Sequence, residues 1–576
     1  MASDFQRSIE RTIVIMGYAT LGEFLKKFFL PLFGIVLGVF FAILFVFPGI
    51  SIFYSLGVLV IGMGIIFVYP YSVVERKKAS VNNNMHLFIT YAGTIATMQV
   101  SRAVLFKRIS QKKVFGEISD IAEKILYLSK EWNLGFAVTC RKLGPVIPSK
   151  ILGDFLDRFA VMMDFGENLQ IFLTEEQTSV MDDYATEYMK SLETIKLLQD
   201  VFISLTMAVA FGIAIGLLLP LLMGISINVI VAVATLAIFL MDVIMVVIVK
   251  AVIPEDKLYH DIEIKDKGYQ RMQKMFLIFM PLSAVIFIFL FLVMHWAFLF
   301  ALAVAVIPLF VLGVVARGEE EKIYRRDVGF PTFVRTLGSA TEIRSGAVIA
   351  SLNSLRIHDF GLLNEMVINL YRRLRLGSDK FKAWRHFAGE TGSNLIFHFS
   401  RIFSESIYLG GNAEKTGDIV SKNFQKLLSL RKQKNQLAAG LRGAFYGSLI
   451  GLAATSFVSA QIVTILAKIF GGTVEGGAFS LSSIFGTTAG ANLFVDINQI
   501  SLYVGLMIVI HAIISAILLK IVDGGTFYAA LFDISIMIWI GALTSWLVPK
   551  LIDKILPDID QTFNETTTAE GLSVLS

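Results

Sequence analysis

Residues 330–352 read FPTFVRTLGSATEIRSGAVIASL, a mixed polar and apolar stretch in a chain that is otherwise strongly apolar. Residues 88–105, FITYAGTIATMQVSRAVL, carry a drifted copy of it, with Phe88 and Gly93 standing where Phe333 and Gly338 stand. A second correspondence follows each copy. Gly166, in DFGENL, matches Gly410, in LGGNAE, so the interval from Gly93 to Gly166 nearly equals that from Gly338 to Gly410. Each copy then passes through a charged helical run into an apolar one. The repeating unit is two apolar spans, a helical soluble-looking segment and a further span, and it occurs twice.

Outward from this repeat, composition sets the class. The chain has 576 residues, 55% of them hydrophobic and 17% charged, and its mean hydropathy is +0.70. That apolar share is well above the usage of soluble domains. A transmembrane helix needs about 20 apolar residues to cross about 30 Å of hydrocarbon. Runs of this kind occupy 28–47, 52–68, 201–222, 227–249, 275–293, 297–316, 445–469, 500–520 and 527–547. The expectation is an all-α polytopic membrane protein with about nine spans and two tandemly repeated helical domains. Its divisions are 1–68, 69–200, 201–316, 317–444, 445–547 and a tail over 548–576. The segment 1–27 is mixed in charge and runs into a full-length span, unlike a cleavable signal. Phe5, Ile9, Ile13 and Met16 fall at helical spacing, as in a helix lying on a membrane surface.

Lysine and arginine set the expected orientation. Residues 1–27, 69–200, 250–274 and 317–444 hold 4, 16, 6 and 21 of them, 47 of the chain's 51. Residues 48–51, 223–226 and 471–499 hold none. This predicts a cell-membrane protein with its N-terminus and both large segments in the cytoplasm and its C-terminus outside. The sequon Asn564-Glu565-Thr566 lies in that outer tail. The single cysteine, Cys140, rules out an intrachain disulfide framework and a thiolate metal cluster.

Both large segments read as helical, with apolar residues recurring at three and four. Residues 169–211 contain neither glycine nor proline and run from EEQTSVMDDYATEYMKSLETIK into the third span. At 1.5 Å per residue they make a rod of about 65 Å. Residues 419–441 have the same place before the seventh span.

Motifs of chemistry are scarce. GGNAEKT, at 410–416, superficially resembles a phosphate loop, but Glu414 stands where the glycine before Lys-Ser/Thr belongs. The chain has no His-Glu-x-x-His, no paired-cysteine metal spacing and no Gly-x-Ser-x-Gly. No enzyme activity, cofactor, metal or nucleic-acid partner is expected. Within the spans Asp242, Lys468, His511 and Asp533 are ionisable, too few for a transporter, which is the more distant alternative. Lys468 is near a span end and can snorkel. His511 and Asp533 are equally far in sequence from position 522, the centre of the turn between the last two spans. Equal depth predicts that they pair, with Asp242 as the competing partner.

The two large segments differ in charge. The first carries 16 basic and 16 acidic residues; the second carries 21 and 12, net +9. Arg372, Arg373, Arg375, Lys380, Lys382 and Arg385 form a cluster too far from any span to act on topology.

The repeated Phe-x4-Gly segments at Phe88/Gly93 and Phe333/Gly338, the glycine-bounded helical segments and the paired spans resemble the platform proteins of type IV pilus-like machines. These are the F-domain proteins of type II secretion and their archaeal counterparts. Over nearly the whole length the chain is most similar to archaellum platform proteins of the FlaJ/ArlJ type, and FPTFVRTLGSA is the more specific match. The resemblance implies a homodimer at the base of a filament and a hexameric cytoplasmic assembly and motor ATPase as partner. It also implies filament subunits (archaellins) as cargo. The net +9 of the second segment and the distance of the basic cluster from the spans predict that this cluster contacts an acidic face of the ATPase. An adhesive pilus platform is the nearer alternative.

Overall fold

The computed structural model describes residues 20–46, 52–217, 227–475 and 497–555, with Thr12, Ile13, Ile15, Met16 and Tyr18. Several sequence expectations fall outside the described residues: Phe5 and Ile9, the connections 48–51 and 223–226, most of 471–499, and the tail with Asn564. The side chain of Lys468 is also outside them. Among the described residues the elements are helices, with one isolated bridge between Tyr259 and Ser393.

Among the described residues, six helices are long and apolar enough to cross a membrane. Phe298–Ala305 and Ile307–Ile343, bent by 41°, make a seventh candidate as a pair. The bend has a local cause: Pro308 lacks an N–H, and its ring crowds the carbonyl four residues back, inside the preceding helix. The count of nine is thus not reached among these residues. The first two expected spans lie on helices Leu30–Val46 and Ile52–Ala96, and most side chains over 39–62 are outside what is described.

The expected rods are present. Leu169–Gly216 is one helix of 48 residues, about 72 Å long. Its entry is set by Gly166, left-handed at φ 71, which ends helix Lys150–Phe165. Asn168 follows, its Oδ1 accepting the Gln170 N–H at 2.8 Å. Gly410 is likewise left-handed, at φ 93, beyond helix Asn394–Tyr408. Ala413–Glu475 is a single helix of 63 residues.

The chain divides into two compact units. The first consists of Met1–Tyr188, Val328–Phe387 and Leu395–Leu427, so most of both large segments lies in one body. Its core is aromatic. Phe330, Phe399 and Phe424 meet at 4.8–5.2 Å, and Phe155, Phe159 and Phe172 at 5.7–6.2 Å. Each such buried ring contributes about 2–3 kcal/mol by removing apolar surface from water. Polar pairs join the two segments. Asn423 donates to Thr90 at 2.8 Å and to Gln177 at 2.7 Å. Tyr91 donates to Glu405 at 3.0 Å, and Ser406 to the Thr94 carbonyl at 3.1 Å.

The second unit, Met189–Asp327, Ala388–Asn394 and Leu428–Ser576, holds the candidate spans' packing. Trp539 Nε1 donates to the Ala303 carbonyl at 2.9 Å and Ser283 Oγ to that of Ala305 at 2.5 Å. Both acceptors sit at the bend, where the helical ladder is interrupted and carbonyls need other donors.

Candidate functional site

Within the first unit Gly338 and Gly93 stand where other parts of the chain come close. A Cβ on Gly338 would lie 2.5 Å from the Ala413 carbonyl oxygen and 3.1 Å from Gly417 Cα. One on Gly93 would run into the side chain of Gln177, whose amide donates to the Ile89 carbonyl. Phe88 packs edge-on against Phe155 at 5.4 Å, and Phe333 lies 5.4 Å from Phe360 and 5.7 Å from Phe387. The Phe-x4-Gly pattern therefore serves packing: the ring fills a core and the glycine, at i+5, lets a backbone or side chain approach. Gly338→Val is expected to destabilise the detergent-solubilised chain by about 2–3 kcal/mol through overpacking. Gly440→Ala, in open space on an exposed helical position, is expected to stabilise it by about 0.5–1 kcal/mol. Equal unfolding midpoints for the two variants would contradict this reading.

The basic cluster occupies the end of helix Asn364–Arg375 and the start of Lys380–Thr391, separated by Gly377 at φ 78. Arg372, Arg375, Lys380, Lys382 and Arg385 are exposed, and Arg373 is half-buried. Leu376, 84% exposed, and Phe381, 48% exposed, project among them. Lys380 also reaches over the Tyr408 ring at 4.9 Å. This is a cationic surface with apolar projections, in the first unit.

In the second unit His511 and Asp533, both buried, have separate partners, which corrects the expected His511–Asp533 pair. His511 Nδ1 is 3.0 Å from both carboxylate oxygens of Asp242, and Phe202 stacks on the imidazole at 5.8 Å. Asp533, 1% exposed, accepts from Arg317 at 2.5 Å, Arg442 at 3.1 Å and Tyr446 at 2.5 Å. The Arg317 guanidinium lies 3.6 Å from the centre of the Phe532 ring. Equal depth brings two residues level but leaves open which way each helix is turned. The rotation of helix Phe527–Ile555 presents Asp533 to the helices carrying Arg317 and Arg442. Its seat is close because Gly313 has no side chain: a Cβ there would stand 2.8 Å from Phe532 Cα.

A second ionic centre adjoins it. Arg431 Nη1 donates to Asp327 at 2.7 Å, while its Nε and Nη2 donate to Asp256 at 3.0 and 2.5 Å. Lys434 adds a donor to Asp256 at 2.9 Å. Arg326 donates to the Thr391 carbonyl at 2.8 Å and lies 3.5 Å from Asp266. Burial would raise the Asp256 carboxyl, but Arg431 and Lys434 override it and hold Asp256 well below the ordinary range. Asp327 receives a single guanidinium bond, and there burial wins, pushing its carboxyl up to about 6. Glu320 accepts from Lys520 at 2.8 Å and from the Thr526 N–H at 2.6 Å, tying the last interhelical turn to helix Ile307–Ile343.

Together these bonds form a clamp in which carboxylates hold the charged ends of several apolar helices by paired cations. The sequence alone singles out Asp533 and Asp242 but not Arg317, Arg431, Lys434, Arg442 or Asp256. The available signal was position: Arg317 directly follows one apolar run, and Arg442 stands just before another.

No protein-family model matches the chain, and no solved structure matches it. The chain is 30% identical over 502 residues to a flagella accessory protein J of Methanocaldococcus jannaschii, covering 85% of this chain and 88% of that one. It is 29% identical over 550 residues to the flagella accessory protein J of Methanococcus voltae, covering 93% and 96%.

Proposed function

The chain belongs to the flagella accessory protein J family, and from that premise we propose that it is the membrane platform of an archaellum. In this reading it anchors the cytoplasmic assembly ATPase and couples it to filament assembly and rotation. Both large segments and the N-terminus face the cytoplasm, as the positive-inside rule has it. The carrying observation is the first unit: a helical body built from both charged segments and presenting an exposed cationic surface. The long helices Leu169–Gly216 and Ala413–Glu475 each combine charged turns with an apolar span, a means of passing force to the membrane. The chain works as a dimer, without an enzyme activity of its own, and archaellins are its cargo.

The test is reversal of exposed charge. Rim charges steer association and set its salt dependence. Arg372→Glu, Arg375→Glu and Lys382→Glu together are expected to weaken capture of the assembly ATPase by at least about tenfold at low salt, at about 1.4 kcal/mol per decade. Membrane insertion and the unfolding midpoint should stay at the parent values. ATPase capture that is unchanged, and unchanged by salt, would exclude this surface.

A further inference from the structure

We propose that the second unit carries a binding site for a phosphate diester monoanion, namely the headgroup of a membrane lipid. The inference rests on these helices lying in a membrane and not on the archaellum role. The site is a cavity of about 470 Å³ whose lining includes Arg317, Glu320, Lys432, Gln436, Arg442 and Asp523. That volume is in the range of small-ligand sites. It lies where apolar helices end in charge. Arg317 follows one apolar run, Arg442 precedes another, and Asp523 closes helix Ile497–Asp523 at the turn before Phe527–Ile555. This is the depth at which headgroups sit, and basic pockets between spans are their usual receptors.

Charge identifies the ligand class. Arg431 and Lys434 are matched by Asp256 and Asp327, and Glu321 by Arg325 at 3.0 Å. Arg317, Arg442 and Lys520 are matched by Asp533, Asp523 and Glu320. Lys432 remains, exposed on the lining and without a carboxylate partner among the described residues. The surplus is one positive charge, the complement of a monoanionic diester and too little for a polyphosphate. Geometry agrees. Asp533 takes only Nη2 of Arg317 and Nε of Arg442, which leaves the Nη1 donors of both for a phosphate oxygen. The two glycines of the turn, Gly524 and Gly525, keep the opposite wall low: a Cβ on Gly524 would lie 3.1 Å from Lys434 Nζ.

The experiment uses the full chain in neutral detergent. Unfolding midpoints are read as a function of added phosphatidylglycerol, phosphatidylcholine, glycerophosphoglycerol or inorganic phosphate. Phosphatidylglycerol is expected to raise the midpoint in a saturable way, and the other three to leave it in place. Lys432→Glu, and separately Gln436→Glu one turn on, are expected to weaken the phosphatidylglycerol response by about tenfold. Both positions are exposed, so the clamp beneath them is untouched. An equal response to phosphatidylcholine, glycerophosphoglycerol or phosphate would overturn the anionic lipid as the ligand. Unaltered phosphatidylglycerol binding by both variants would overturn the site.

Discussion

Asp533→Leu is expected to destabilise the chain by about 3–5 kcal/mol, read as a lower unfolding midpoint and a smaller membrane-inserted fraction. The carboxylate is the shared anion of Arg317 and Arg442 and the acceptor of Tyr446. Its removal leaves Arg317 without its carboxylate and Arg442 with Asp523 alone, at 3.4 Å. Their side chains are 27% and 24% exposed, so partial hydration places the loss toward the lower end. Asp533→Asn keeps the shape and an acceptor for Tyr446, and is expected to cost about half as much. The double variant Asp533→Leu, Arg442→Met is expected to recover part of the loss, with a coupling of about 1–3 kcal/mol. A loss under about 1 kcal/mol for Asp533→Leu would show that the carboxylate does not hold these helices.

Arg431→Met is expected to cost as much, about 3–5 kcal/mol, and to carry a pH signature. The guanidinium serves two acids of opposite character. Asp256 is held below its ordinary range, so its contribution is present above about pH 4 and is lost only as pH falls below that. Asp327 is pushed up to about 6, so the folded state binds its proton more tightly than the unfolded chain does. Stability from this group is therefore full below about pH 4 and falls by about 3 kcal/mol as pH rises through about 6. Asp327→Asn is expected to flatten the profile between those limits. In Arg431→Met the carboxyl of Asp327 loses its guanidinium bond, so the destabilisation is expected to be larger at about pH 8 than at about pH 5. Equal losses at the two values would mean that Asp327 does not titrate in the folded chain.

Much of the architecture follows from one-dimensional pattern, because hydropathy and helix periodicity act over neighbouring residues. An apolar run of about 20 residues has few options in a membrane other than a helix, since every backbone group must be satisfied within the segment. The unbroken helix from Leu169 is of this kind: glycine and proline are absent until Gly212, and Gly166 and Asn168 mark its start. Family membership was legible for the same reason, carried by the order of spans and the spacing of Phe333, Gly338 and Gly410.

Pairing was not legible. Equal spacing from the turn put His511 and Asp533 at one depth, yet the side chains turn to Asp242 and to Arg317 with Arg442. Helix rotation is set by packing, here by Gly313 against Phe532 and by the bend at Val306, and those contacts join positions far apart in the chain. The two large segments also read as separate domains along the chain, while Asn423 bonding to Thr90 and Gln177 shows them sharing one body. Charge counts single out a basic cluster in the second segment. Only the folded chain shows that five of its six cations face solvent while Arg431 and Lys434, equally basic on paper, are buried against Asp256. The physical reason is range: solvation and hydrogen bonding within a helix are local, whereas the partner of a buried charge is supplied by whichever distant segment the packing brings within about 3 Å.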